Sequence, residues 1–277
     1  MASSPLRDFL VTYLMPEKCY ERIVVKLQLD GPCLKFVLNR IVALCIILDT
    51  FLAQLPQLLK IVWRGSAEGL SLTASLLQLY AFSCPVVYAM TNNFPLFAWA
   101  ERFIVLAQTA ALVFLILHYR GETLKGILLL LCYTGVMFLL GSYTAKAVAS
   151  VLQDSRLAGL IASKGFQART NYCNGHTGQL STLSVLLSWT GSLGVLYVSL
   201  QDIESWFEAF LHVLSACLSC VLLAQVLCYR SSTATTQKKK RGGLKAISFY
   251  VVALVKAALP YQSVNRRSSS ITKPGHG

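Results

Sequence analysis

Apolar runs long enough to cross a bilayer recur along this chain, and they constrain its fold more than any other feature. A spanning helix needs about 20 mostly apolar residues. Seven candidates follow, at 36–58, 69–91, 98–118, 124–142, 146–166, 179–200 and 206–229. Hydrocarbon offers no water to a free backbone, so each run is expected to be a helix. The fifth is the weakest, because it carries Lys146, Asp154, Arg156 and Lys164. Composition agrees with a membrane chain: 55% of residues are hydrophobic and only 13% charged, against about 25% charged in soluble domains. The first 35 residues carry charges every few positions and lack the apolar core of a signal peptide, so the first span is expected to direct insertion itself.

The net charge of +13 is a property of the tail. Ten of the 25 Lys and Arg residues lie from Arg230 onward, where there is no Asp or Glu, leaving +3 in residues 1–229. A nucleic-acid partner would want a basic folded module, so none is expected; a tail lying near anionic lipid is the simpler account. With seven spans the termini face opposite sides. Lys60, Arg64, Arg120, Lys125, Arg169 and the run Lys238–Arg241 fall on the C-terminal side, which predicts a cytosolic C-terminus and a lumenal N-terminus. The apolar stretch 244–259 is too short to span and reads as an interfacial helix, with Lys245 and Lys256 snorkelling at its ends. Most of the nine cysteines sit in apolar runs and read as packing residues. Cys217 and Cys220 form a CxxC inside a span without a partner pair, so no metal site is expected.

An internal repeat organises the spans. Segments 57–77 and 167–187 align without gaps at an offset of 110, matching Gln57 with Gln167, Gly65 with Gly175, Leu70 with Leu180, Ser71 with Ser181, Leu76 with Leu186 and Leu77 with Leu187. Three spans plus one extra fit that offset. Spans one to three and five to seven thus form two parallel repeats, and the fourth span links them in the same orientation. The expected divisions are a lumenal segment 1–35, a first three-helix repeat 36–118, a linker span 119–145, a second repeat 146–229 and a basic tail 230–277.

Three polar interruptions are candidates for function. Gln54-Leu-Pro56-Gln57 closes the first span; a proline there breaks the helical ladder, giving either a polar hinge on a central cavity or an ordinary helix end, and Gln167 at the equivalent place favours the hinge. Asp49 lies deep in an apolar run and is either a proton-coupling site or a hydrogen-bonded residue near the interface. The stretch 171–181 holds Asn171, Asn174 and His176 in a polar glycine-containing loop, where either His176 contacts a phosphate or Thr177 or one of its neighbours caps a helix. In the matching loop, Ser66 is a candidate cap for the following helix, with Glu68 near its positive end. No P-loop, GxSxG, HExxH or carboxylate pair appears, so no catalytic residue, cofactor or enzyme activity is expected.

The QLPQ motif and its repeat resemble the PQ-loop family of seven-span membrane proteins, which are all-α and built from two three-helix bundles and a linker helix. The resemblance narrows with LMPEKCY (14–20), GPCLK (31–35), QLPQLLKI (54–61), SAEGLSL (66–72), VYAMTNNFP (87–95), HYRGETLKG (118–126) and TNYCNGHTGQLS (170–181). These look like the mannose-P-dolichol-utilization branch of that family. The resemblance implies residence in the endoplasmic reticulum membrane. It also implies a requirement when dolichol-phosphate-mannose and dolichol-phosphate-glucose serve as donors for N-glycan precursors, GPI anchors and O- and C-mannosylation. Lumenal glycosyltransferases are possible partners. Lys238–Lys240 are followed by 37 residues, so a dilysine retrieval signal would not be terminal. Three activities fit: handling or reorienting a lipid-linked sugar, carrying a small solute with proton coupling, and acting as a membrane chaperone for the transferases.

Overall fold

The computed structural model describes residues 11, 15–28, 30–201 and 206–232. The tail segment 244–259 and the run Lys238–Arg241 lie outside these residues. The described chain is helical throughout. After a helical turn Glu17–Tyr20 and a wider turn Glu21–Val25, it forms α1 (Gly31–Leu52), α2 (Leu55–Arg64), α3 (Leu72–Thr91), α4 (Ala100–Tyr119), α5 (Thr123–Tyr143), α6 (Lys146–Asn174), α7 (Thr182–Gln201) and α8 (Trp206–Ser232). The expected spans are all present.

The first span is two helices. Ala53 N still donates to Asp49 O at 3.0 Å and Leu58 N to Gln54 O at 3.0 Å, with the break between them. Pro56 therefore falls in the first turn of α2, where its missing N–H leaves nothing unpaired. The helix restarts just before the proline rather than bending over it.

Six segments are long and apolar enough to cross a membrane, with α1 and α2 counted together. The helix that falls short by composition is α6, yet at 29 residues it is about 43 Å long and packs against α3 and α8. Lys146, Asp154 and Arg169 are exposed, whereas Arg156 and Lys164 are partly buried within the bundle. The charges of Arg156 and Lys164 are tolerable in a membrane because neighbouring helices surround them.

The repeats are interleaved. The first helix of each packs against the second helix of the other, α1 on α7 and α6 on α3. Small residues make these crossings close: a Cβ on Gly159 would lie 3.3 Å from Ala81 Cβ. At the pseudo-equivalent crossing, 110 residues removed at both positions, Gly191 receives Asp49. The linker α5 packs on α3 and α4. Only Gly126 of α5 is buried, so Leu124, Leu128, Leu131, Phe138 and Leu139 face outward, as lipid contact requires.

The sequence pattern gives no sign of one covalent feature. Cys19 and Cys33 form a disulfide across a sequence separation of 14, packed with Met15 and beside Ile23 and Val37. Arg22 pairs with Asp30 in the same segment. Cys19 precedes the first span and Cys33 stands in the first turn of α1, ahead of its apolar run, which distinguishes them from the packing cysteines. Cys217 and Cys220 are free.

The prediction is that protein purified without reductant presents seven alkylatable thiols after denaturation, rising to nine after reduction. Intact mass after maleimide labelling reads this directly, and nine before reduction would refute the pairing.

Candidate functional site

A cavity of about 430 Å³ lies between the two repeats. Its walls come from both, so neither repeat holds the site alone. At one end it is closed by the loops that precede α3 and α7.

That closure rests on two glutamines. Gln57 Nε2 donates to Gln179 O at 3.0 Å, and Gln57 Oε1 accepts from Ser181 N at 2.6 Å. Gln167 Nε2 donates to Gly69 O at 3.1 Å, and Gln167 Oε1 accepts from Ser71 N at 3.0 Å. Residues 69 and 71 map to 179 and 181 by the same 110-residue offset that relates Gln57 to Gln167. Each glutamine thus supplies one donor and one acceptor to the loop backbone of the other repeat. Both are buried, with 3% and 8% exposure. A net 0.5–1.5 kcal/mol per bond makes the four worth about 2–6 kcal/mol.

The loops have the local chemistry to accept this clamp. α2 and α6 end at Gly65 and Gly175, with φ of 60° and 71°, the left-handed termination that glycine permits without strain. Ser71 caps α3 by accepting from Ala74 N at 3.3 Å, and Ser181 caps α7 by accepting from Ser184 N at 3.4 Å. The expected caps are therefore corrected: Ser66 Oγ accepts from Glu68 N within its own loop, and Thr177 offers only its carbonyl, to Leu180 N. The loops touch backbone to backbone. A Cβ on Gly69 would lie 2.9 Å from Gly178 Cα, and Gln179 N donates to Glu68 O at 2.9 Å. Two cations secure equivalent carbonyls: Lys60 Nζ donates to Leu180 O at 2.9 Å and Arg120 Nη2 to Leu70 O at 2.7 Å.

Of the residues expected at the site, Asp49, Gln54, Gln57 and Gln167 line the cavity. Pro56 starts α2 beside them. Asn171 is fully buried behind the wall, accepting from Gln167 Nε2 at 2.8 Å and donating to Gln225 Oε1 at 3.0 Å. Asn174 and His176 do not join the cavity; they stand at and just beyond the end of α6, where the chain has left the bundle. The nearest charge to His176 is Glu68, at 3.9 Å.

The cavity also contains residues that sequence reasoning passed over. Lys164 Nζ donates to Ser219 Oγ at 2.7 Å, Ser192 Oγ at 2.8 Å and Ser215 Oγ at 2.9 Å. Asp49 stands on the opposite repeat, against Gly191. Toward the end away from the clamp the lining includes Glu101, Arg102, Arg156 and His212. Lys164 and Arg156 did carry a signal: an ionisable residue inside a span is a functional candidate in its own right. Three scattered serines in apolar helices carried none.

Residues 38–98 match the family model of the PQ loop repeat. No solved structure matches the chain. The protein is thus a multi-pass, all-α membrane protein bearing a PQ-loop repeat. Beyond the matched residues, the reciprocal bonding of Gln57 and Gln167 relates a second, symmetry-equivalent unit to the first.

Gln57→Ala is expected to strand Gln179 O and Ser181 N, and Gln167→Ala to strand Gly69 O and Ser71 N. Each costs about 1–3 kcal/mol, seen as a Tm lower by about 2–4 °C per kcal/mol in detergent. Gln167→Ala also leaves Asn171 Oδ1 without its donor, so its loss should be the larger, and an unchanged Tm for either variant would count against the clamp.

Proposed function

We propose that the cavity between the repeats takes the polar head of a lipid-linked sugar while its long isoprenoid stays in the bilayer. The protein would thereby handle, reorient or present dolichol-phosphate-mannose and dolichol-phosphate-glucose for lumenal transfer. The observation that carries this reading is a polar, cation-bearing chamber enclosed by helices whose outer surfaces are apolar. A chamber of that kind gives a charged head a path through hydrocarbon without exposing it to lipid. The scattered sequence strings similar to the mannose-P-dolichol utilization defect protein support the choice of lipid and residence in the endoplasmic reticulum.

The proposed orientation puts the clamped end and the C-terminal tail in the cytosol and the N-terminus in the lumen. The Cys19–Cys33 disulfide supports it, because disulfides persist on the oxidising side of a membrane. In this orientation the cavity is closed to the cytosol and its arginine-bearing end lies toward the lumen.

Reconstitution with a fluorescent short-chain dolichol-phosphate-mannose tests the proposal. Leaflet exchange is expected to accelerate with protein and to fall in Gln57→Ala. Exchange no faster than in protein-free vesicles, together with normal lumenal mannosylation in cells lacking the protein, would refute lipid handling. Failed exchange with stable transferase capture would instead favour a chaperone.

A second reading is favoured by Asp49, whose carboxyl lines the same cavity: a proton-coupled carrier of a small solute. In proteoliposomes such a carrier shows uptake that depends on an imposed pH gradient, and Asp49→Asn abolishes that dependence. Uptake with the same pH response in the variant would remove Asp49 from any coupling role.

A further inference from the structure

Lys164 is held by three hydroxyls and, at 3.4 Å, by Ser215 O. Its three N–H groups meet Ser192, Ser215 and Ser219 at 2.7–2.9 Å, and no carboxylate lies within ion-pair distance of it among the described residues. Serine oxygens satisfy its protons, and Asp49, across the cavity and beyond ion-pair distance, balances its charge only in part, which is costly in a membrane interior. The cage belongs wholly to repeat two. Shifting by 110 residues puts Gln54, Phe82, Val105 and Thr109 in repeat one at the places of Lys164, Ser192, Ser215 and Ser219. The cavity therefore has a hydroxylated wall with a caged cation facing one that carries Asp49, Gln54 and Gln78 among apolar residues.

A second observation, about 12 Å along α7 from Ser192, points to a ligand in the same cavity. Ser184 lines the cavity, and its hydroxyl oxygen is buried with no hydrogen-bond partner among the described residues. Buried polar atoms are ordinarily satisfied. The cage hydroxyls can also turn. Ser192 and Ser219 now give their protons to carbonyls of their own helices, Ser188 O at 2.6 Å and Ser215 O at 3.1 Å. Such back-bonds are weak and exchange readily for a stronger acceptor. Arg156 lies two turns from Lys164 on α6, about 12 Å along the axis, with Arg102 and His212 also lining that end. Two arginines, His212 and the carboxylate of Glu101 thus line the far end, with Lys164 nearer the middle.

We propose that Lys164, with Ser192, Ser215 and Ser219, is an oxyanion subsite that holds the phosphate of the cavity's ligand. The sugar would lie against the repeat-one wall, beside Gln54, Gln78 and Phe82. This rests on the reading that the cavity accepts a lipid-linked sugar head, and it adds which group is recognised and by what. A phosphate brings the charge that Lys164 lacks and acceptors for hydroxyls that can donate, whereas a neutral sugar offers no charge. Charge-assisted bonds of this kind are stronger than neutral ones.

The test uses the purified chain in lipid nanodiscs with three probes: a short-chain isoprenyl phosphoryl-mannose, the matching isoprenyl mannoside without phosphate, and inorganic phosphate. The wild-type protein is expected to bind the phosphoryl ligand at least about tenfold more tightly than the mannoside. Lys164→Gln should weaken the phosphoryl ligand by about 10- to 100-fold and leave the mannoside unchanged. Lys164→Arg should restore part of the difference. Where Lys164→Gln does not fold, Ser215→Ala/Ser219→Ala should give a smaller loss in the same direction.

The double variant Asp49→Asn/Lys164→Gln separates a ligand site from a structural counter-charge. Restored phosphoryl binding would show that Lys164 merely balances Asp49 and would overturn the subsite. Equal binding of both isoprenyl ligands would also overturn it while leaving the lipid-handling reading intact. Lys164-dependent binding of inorganic phosphate, with neither isoprenyl ligand bound, would uphold the subsite and remove the lipid.

Discussion

The reciprocal clamp of Gln57 and Gln167 is the constraint on which the rest of the arrangement depends. A membrane bundle with irregular loops at its edge must satisfy the loop backbone from within the protein, because lipid offers nothing in return. Here each repeat satisfies the other's loop with one amide side chain, which provides a donor and an acceptor together. Neither repeat can close its own end. Apposition of the loops brings Gly69 against Gly178 and seats the first helix of each repeat on the second helix of the other, so the cavity between them follows from the same contact.

Upon this symmetry the sequence lays a systematic difference. Where repeat one has Ile61 and Leu115, repeat two has Asn171 and Gln225, which bond to each other in the core. Where repeat one has Gln54, repeat two has Lys164. At the position of Gly159, repeat one has Asp49. The first repeat closes its clamp end with an apolar cluster of Ile61, Ala67, Leu70, Leu112 and Ile116. The second buries a chain of amides there, running from Gln167 through Asn171 to Gln225. A site lying between related halves can carry a caged cation on one side and a carboxylate, Asp49, on the other only if the halves have diverged in this way.

Much of this is legible in the sequence, for physical reasons. Spans show because lipid demands long apolar runs. The offset of 110 shows because Gln, Gly and Ser hold fixed positions in a loop where each serves the backbone differently, as clamp, left-handed terminus and cap. The site is harder to read. Lys164 first appears as a defect in a span, since a sequence shows a charge but not the hydroxyls two helices away that surround it. Ser192, Ser215 and Ser219 resemble any other small polar residues in membrane helices. Asn174 and His176 mislead in the opposite sense, because polarity in a loop looks the same whether the loop faces a cavity or solvent. The Cys19–Cys33 bond depends on a chain reversal ahead of the first span that no periodicity announces.

The two ends of the cavity differ in how easily they can change. The clamp consists of hydrogen bonds to backbone groups at the edge of the bundle, and water reaching that edge can replace each one at a net cost of about 0.5–1.5 kcal/mol. The Lys164 cage sits deeper, ten residues before the end of α6, and its charge has no such substitute in hydrocarbon. Motion that opens the clamped end therefore has to keep α6, α7 and α8 together around Lys164 while the repeats part. The contacts permit this, since the serines that hold Lys164 all belong to its own repeat, whereas the clamp bonds all cross between repeats. A rigid repeat two moving against repeat one would carry its cation and whatever that cation holds, but the α3–α6 crossing, where Ser163 Oγ donates to Ala74 O at 2.7 Å, has to shift along with the clamp.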